Sequence, residues 1–248
     1  MKKKSIDHIF IFLSIIICLA IIFQIIEKNE NRPKAVISLT FDDGYLGHYT
    51  QVYPLMKEYG FTGTLFLIAD GRETFERREL ISFEEAKEMQ ENSWEIGSHS
   101  LEHNSLINLS KNELKKDLLN SKILLENQGF EISTLAFPFG DYNTNVLTET
   151  KKHYQASRPL IWGDNNLENF NSYKLKSRWI QKKNNPQSIC LWIQKAKINK
   201  AWIILDFHYI GENKIRNFDT SIEDFNKILE CIKNTEIEVK TIKEVLNG

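Results

Sequence analysis

Cysteine is scarce in this chain. Three in 248 residues, Cys18, Cys190 and Cys231, are too few and too scattered for a disulfide framework or a cysteine-rich zinc site. Cys190 and Cys231 fall in helix-like stretches, and no bridge between them is expected. An excess of charge is also lacking: 32 basic and 33 acidic side chains leave a formal net charge of −1. No global field then draws in anionic polymers, and nucleic acid is not an expected partner. No internal repeat or low-complexity tract occurs. No Gly-x-Gly-x-x-Gly follows the first strand-like run, which argues against a dinucleotide site. The composition that remains, 42% hydrophobic and 26% charged, suits a folded globular domain. It excludes a disordered chain, a collagen-like fibre and a multi-pass membrane protein.

Long apolar runs are confined to one place. Lys2, Lys3 and Lys4 precede a run from residue 9 to 26 broken only by Ser14 and Gln24. Eighteen helical residues span roughly 27 Å, close to the hydrocarbon thickness of a bilayer. Residues 1–26 are therefore expected to form one N-terminal transmembrane helix, with the lysines inside and the rest of the chain outside the cytoplasm. A cleaved signal peptide is the rival reading, but no small-x-small site follows the run. Residues 27–34, polar and holding a proline, read as a linker. Residues 35–248 read as one domain, which the anchor would hold at the outer face of the cell membrane, or which would be secreted if the anchor is cleaved.

Within that domain, strand-like runs at 35–41, 63–68, 94–98, 134–137, 154–157, 175–180, 201–207 and 236–240 alternate with amphipathic segments. Ser82 with Glu85 and Ser110 with Glu113 make capping boxes, Gly129 suits a helix end, and Ser221 suits an N-cap. Alternation of this kind predicts an α/β fold with a largely parallel sheet: a distorted (β/α) barrel of seven to eight strands, or else an open doubly wound sheet.

Reactive side chains sit where four of these runs end: Asp42-Asp43-Gly44, His99-Ser100-Leu101-Glu102-His103, Phe137-Pro138-Phe139-Gly140-Asp141-Tyr142 and Asp206-Phe207-His208. In a β/α barrel that end carries the active site. Adjacent Asp42 and Asp43 point oppositely on an extended strand, and a bend at Gly44 would bring both near one centre. His99 and His103, four apart, share a face if the segment is a helical turn. With one carboxylate from another strand end they form a two-histidine, one-aspartate set that leaves metal positions open.

These segments resemble the motifs of the polysaccharide deacetylases, carbohydrate esterase family four. Thr40-Phe41-Asp42-Asp43-Gly44 is similar to the family's first motif, His99-Ser100-Leu101-Glu102-His103 to its second, and Leu205-Asp206-Phe207-His208 to its last. The resemblance implies a distorted barrel, Asp42 as catalytic base, Asp43, His99 and His103 as metal ligands, and His208 as catalytic acid. It places the Phe139 amide at the oxyanion. The third motif departs from the pattern, because Ala136 stands where the family often has an arginine that pairs with the catalytic aspartate. Arg178, after a strand-like run, is the candidate replacement. The variant Phe-Pro-Phe-Gly-Asp-Tyr-Asn resembles a subgroup of exported poly-N-acetylglucosamine deacetylases. Trp162, Asp164 and Trp179 are candidate remnants of a fourth motif.

The resemblance implies removal of N-acetyl groups from an extracellular glycan, with poly-β-1,6-N-acetylglucosamine, a biofilm polymer, the best-fitting substrate. Peptidoglycan and chitooligosaccharide follow. The expected cofactor is a divalent metal, Zn²⁺ before Co²⁺ or Ni²⁺, and the expected state is a monomer. An idle glycan-binding domain and an amidase of small molecules are the readings from other classes. Asp206 either holds the His208 imidazole or caps a barrel layer. His48 is expected to be a solvated loop histidine. Tyr142, Trp162 and Trp179 suit either sugar stacking or core packing.

Overall fold

The computed structural model describes residues 34–212 and 214–248. The expected N-terminal transmembrane helix lies outside the described residues. Among those residues no helix is long and apolar enough to cross a membrane.

Seven parallel strands carry the domain: β1 (Val36–Phe41), β2 (Thr64–Leu67), β3 (Glu95–Ser98), β4 (Thr134–Ala136), β5 (Ala156–Arg158), β6 (Arg178–Trp179) and β7 (Ala201–Phe207). They run in the order β5-β4-β3-β2-β1-β7-β6. Helices α1 (Tyr53–Tyr59), α2 (Phe83–Glu91), α3 (Lys111–Asn127), α4 (Thr144–Thr150), α5 (Pro186–Ile198), α6 (Ile222–Thr235) and α7 (Ile242–Asn247) complete it. The longest ladder joins β1 to β7, pairing Val36 with Trp202 through to Phe41 with Phe207.

The curved sheet is a distorted barrel that stops short of closure. Among the described residues no ladder joins β5 to β6. The gap is spanned by the Leu175 amide donating to Ser157 O at 3.1 Å and by Ser157 Oγ donating to Tyr173 O at 2.9 Å. The expected strand at 175–180 shrinks to two residues because the chain before it turns in a 3-10 helix, Ser172–Lys174. The expected last strand contracts to β8 (Glu238–Val239), which pairs only with the first two residues of β1 and is not a barrel stave.

Side-chain alternation on the strands sorts residues into two cores. Ile37, Leu39, Phe41, Leu205 and Phe207 pack with helix residues such as Met56, Ile193, Phe225 and Ile228. Phe41 lies within 6 Å of the rings of Trp94, Phe207 and Phe225. The other parity, Val36, Phe66, Ala136, Ala156, Trp202 and Ile204, forms the barrel interior with Ile242 of α7. That interior is part polar, and near the N-terminal end of the strands its buried polar groups pair with one another. Trp202 Nε1 donates to Ser38 Oγ at 2.9 Å, and the buried Glu95 carboxylate accepts from Thr64 Oγ1, Thr134 Oγ1 and the Lys243 amide. These bonds seat α7 at the N-terminal end of the strands, so the C-terminal end is left for chemistry.

Local signals are realised as read. Capping boxes form at Ser82–Glu85 and Ser110–Glu113, Ser221 caps α6, and Gly129 takes φ +85° beyond α3. The cysteines correct the expectation. Cys190 of α5 and Cys231 of α6 form a disulfide with Cα atoms 5.9 Å apart, because the two helices pack side by side.

Candidate active site

The inward parity of each strand continues up to its C-terminal end and, on three strands, past it. Following Ser38 and Thr40 on β1 comes Asp42, following Glu95 and Gly97 on β3 comes His99, and following Trp202 and Ile204 on β7 come Asp206 and His208. Ala156 on β5 is followed by Arg158. Period two thus delivers five functional side chains to one centre. Asp42 is tied across the ladder by its amide, which donates to Phe207 O at 2.9 Å. The turn that redirects Asp43 starts at Asp43 itself, with φ +71°, and passes through Gly44 at +75°. A left-handed aspartate costs about 1–3 kcal/mol, and it places both carboxylates at the same mouth.

Asp43 Oδ1 lies 3.4 Å from His99 Nε2 and 3.3 Å from His103 Nε2. His99 Nδ1 donates to Ala136 O at 2.9 Å, which leaves its Nε2 lone pair aimed at Asp43. The segment between the histidines is not the expected helical turn. Ser100 and His103 take φ +67° and +59°, and a web of bonds holds that shape. The His103 amide donates to Ser100 Oγ, the Ala69 and Asp70 amides donate to the carbonyls of Ser100 and Leu101, and the Leu101 amide donates to Asp117 Oδ1.

Fit to a cation follows from the donor chemistry. Asp43 Oδ1 is buried and makes no hydrogen bond, and one atom from each of Asp43, His99 and His103 lies within 4.8 Å of the others. Against burial, which opposes charge, the imidazoles of His103 and His99 hold the Asp43 carboxyl well below the usual carboxylate range. Burial pushes the His103 imidazole down, toward the neutral form a metal requires. A second trio, Asp42, Asp206 and His208, is equally compact, but its charge is already met by an arginine.

That arginine is Arg158, and the expectation for Arg178 is overturned. Arg158 Nη2 donates to both oxygens of Asp42 at 2.5 Å, and Nη1 donates to Asp206 Oδ2 at 2.6 Å. All three groups are buried. Arg178 instead pairs with Asp164, Nε donating at 2.7 Å. Its guanidinium lies over the rings of Trp162 and Trp192. The reason is register: Ala136 and Arg158 are direct partners across β4 and β5. A methyl group on one strand leaves room for the guanidinium of the next at the same height. The sequence reading ended that strand at Ser157, one residue short. Continuing its parity would have found Arg158.

Burial works to raise the Asp42 carboxyl, but Arg158, with His99 and His208, brings it below its ordinary value. Asp206 is pushed up to about 6 by burial and by the Asp42 charge, against the pull of Arg158. Its Oδ1 faces His208 Nδ1 at 4.0 Å, and neither atom has a hydrogen-bond partner. Asp206 thus stands beside His208 without a hydrogen bond to its ring, and its bonded partner is Arg158, which the sequence did not suggest.

These groups line a cavity of about 300 Å³ whose remaining walls include Phe139, Leu160, Trp179 and Phe218. Phe139, at φ +59° in the turn Pro138–Gly140, brings its ring within 4.8 Å of the His103 ring. Tyr142 is not among the wall residues. It packs on Phe137 with Lys174 Nζ over its ring. Trp162 stands one ring contact out, 4.7 Å from Trp179. His48 is buried, not solvated, and its Nε2 lies 2.7 Å from His208 O. Asp117 has no signal in the sequence, and His48 is misplaced by it, because each acts on another segment's main chain.

Asp117 yields a pH test. Burial pushes its carboxyl up to about 6, above an ordinary value near 3.8. The folded state thus favours the proton, and the stability this contributes declines as pH rises from about 4 through 6. Asp117→Asn keeps an acceptor for the Leu101 amide but not the titration. Its thermal midpoint should gain on the wild type between pH 4 and 7, by the equivalent of about 1–2 kcal/mol. A constant difference across that range would refute the assignment.

Compared with known proteins, residues 29–156, slightly more than half of the chain, match the family described as polysaccharide deacetylase. The poly-beta-1,6-N-acetyl-D-glucosamine N-deacetylase of Staphylococcus aureus (strain MSSA476) is 33% identical over 145 residues, covering 52% of this chain and 49% of that protein. The chain thus spans about half the length of the curated relatives it matches. Among solved structures, the Streptococcus pyogenes deacetylase PplD in complex with acetate superposes with a TM-score of 0.59 at 23% identity, over 69% of this chain and 76% of that one. The peptidoglycan deacetylase PdaC from Bacillus subtilis gives 0.54 at 20%, over 86% and 91%. At these identities the superpositions speak for the fold.

Proposed function

Because the chain belongs to the polysaccharide deacetylase family, we propose that it hydrolyses N-acetyl groups of an N-acetylglucosamine polymer outside the cytoplasm, with poly-β-1,6-N-acetylglucosamine as the substrate. The observation that carries this reading is the meeting of two units in one cavity: the Asp43–His99–His103 trio and the Asp42–Arg158–Asp206 chain beside His208. The 33% identity to proteins named poly-beta-1,6-N-acetyl-D-glucosamine N-deacetylase supports deacetylation, and the glycan is proposed from their name and from the third-motif variant. The Cys190–Cys231 bridge supports an oxidising, extracytoplasmic setting.

Asp43, His99 and His103 would hold a divalent cation, with Zn²⁺ favoured by the two imidazoles and one carboxylate. Such an ion supplies Lewis acidity to the acetyl carbonyl and lowers the pKa of water. Asp42, kept ionised by Arg158, takes a proton from water as the water oxygen bonds to the acetyl carbon. The Phe139 amide faces the negative charge that develops on the acetyl oxygen. The carbon–nitrogen bond then breaks, its electron pair stays on nitrogen, and His208 donates the proton that lets nitrogen leave as an amine. Acetate and a free amino sugar result. Asp206 flanks His208 as a counter-charge for its protonated ring. Apolar walls at Leu160, Trp179 and Phe218 suit the apolar faces of a pyranose.

The test is acetate release by the purified protein from poly-β-1,6-N-acetylglucosamine, peptidoglycan fragments and chitooligosaccharides, each with and without a chelator. Release from the first, lost with chelator and regained with Zn²⁺, is expected. Preference for peptidoglycan would move the substrate assignment, and release indifferent to chelator would end the metal-hydrolase reading.

A further inference from the structure

Strand β7 ends at Phe207, so the carbonyls at and just beyond its end need partners outside the regular ladder. The structure accounts for four in succession. Asp206 O accepts from the Ile180 amide at 2.8 Å, Phe207 O from the Asp42 amide at 2.9 Å, and Tyr209 O from the Thr220 amide at 2.9 Å. The fourth, His208 O, is met by a side chain, His48 Nε2 at 2.7 Å. A carbonyl only accepts, so Nε2 carries the hydrogen. His48 Nδ1, buried and without a hydrogen-bond partner, is then the bare nitrogen.

The contact is built rather than incidental. His48 is fully buried, with its ring against Phe41 and Tyr45. Preceding it, Gly47 passes so close to the segment after β7 that a Cβ there would sit 2.6 Å from Ile210 O. Burial drives the His48 imidazole down to about 4, so it stays neutral through the physiological range and does not titrate against the acid chemistry next to it. Nothing in the steps above uses His48.

We propose that His48 is a positioning residue: its Nε2–H fixes the His208 main chain, so that the His208 ring is aimed at the departing nitrogen. The carboxylate loop and the proton donor would then move as one piece. This deepens the reading of His208 as proton donor and rests on it.

The full-length protein distinguishes the possibilities. His48→Leu removes the donor while keeping apolar bulk, and His48→Gln restores an N–H of similar reach. Turnover of N-acetylglucosamine oligomers by His48→Leu should fall about 10- to 100-fold in kcat with KM unchanged, and His48→Gln should recover most of it. Hydrolysis of 4-nitrophenyl acetate, whose phenolate leaves without a proton, should change less than about twofold. A crystal structure of His48→Leu should show the His208 ring displaced, and one of His48→Gln should show it returned. Equal losses on amide and ester, an unmoved ring, or full amide turnover by His48→Leu would each overturn the proposal. His208→Ala is the control. If it too spares amide turnover, the proton-donor reading itself fails. If it loses amide turnover while His48→Leu does not, only the inference about His48 fails.

Discussion

Asp42→Asn should lower acetate release by about 10³- to 10⁴-fold while leaving the protein folded and its metal content intact. The amide oxygen of the new side chain can still accept from Arg158 Nη2, which now bonds both carboxylate oxygens at 2.5 Å. Charge balance also improves, since one buried guanidinium would then face only Asp206 in place of two carboxylates. The destabilisation usual for breaking a buried ion pair is therefore expected to be small here. Metal per chain, measured after dialysis against Zn²⁺, should match the wild type because Asp43, His99 and His103 are untouched. Retention of more than a tenth of the activity would remove Asp42 from the role of base. Loss of metal together with activity would mean that it belongs to the cation site instead.

Arg158→Met should be the most damaging single change to stability. It leaves Asp42 and Asp206 buried, close together and without their cation. Losing one partner of a buried ion pair typically costs about 3–5 kcal/mol. For a domain of this size that corresponds to a thermal midpoint lower by roughly 6–20 °C. The sign of the catalytic effect follows from the same balance. Arg158 is what holds the Asp42 carboxyl below its ordinary value, and with it gone, burial and Asp206 push that carboxyl up. The acid limb of the rate profile should move to higher pH, so that activity lost at neutral pH is partly regained in mildly alkaline buffer. Arg178→Met, which breaks only the pair with Asp164 beside Trp162, should cost far less on both counts. If the two arginine variants behave alike, the assignment of Arg158 is wrong.

Much of the candidate site was legible because its residues announce themselves in short windows. Asp42, His99 and His208 each follow directly on a strand-like run and period two carries them inward, while Asp43 and His103 lie in the turns just beyond, within the same short windows. The capping boxes at Ser82 and Ser110 were equally local, since an N-cap and its N3 residue lie within one turn. The same windows misjudged what depends on a neighbour. Nothing around residue 178 distinguishes an arginine that pairs with Asp164 from one that pairs with Asp42, and nothing around residue 48 shows that a carbonyl 160 residues away needs a donor.

Sequence alone determined the alternation of strands and helices, the family, the chemistry at the strand ends, and which side chains point inward. Tertiary structure alone decided the partners: Arg158 for Asp42, His48 for the His208 carbonyl, Asp117 for the Leu101 amide, and Cys190 for Cys231. Periodicity and capping are set by bonds and sterics within a few residues, so they can be read from a window of sequence. Pairing is set by which strands become neighbours, at what register, and which helices pack together. Those distances do not exist until the sheet has curved.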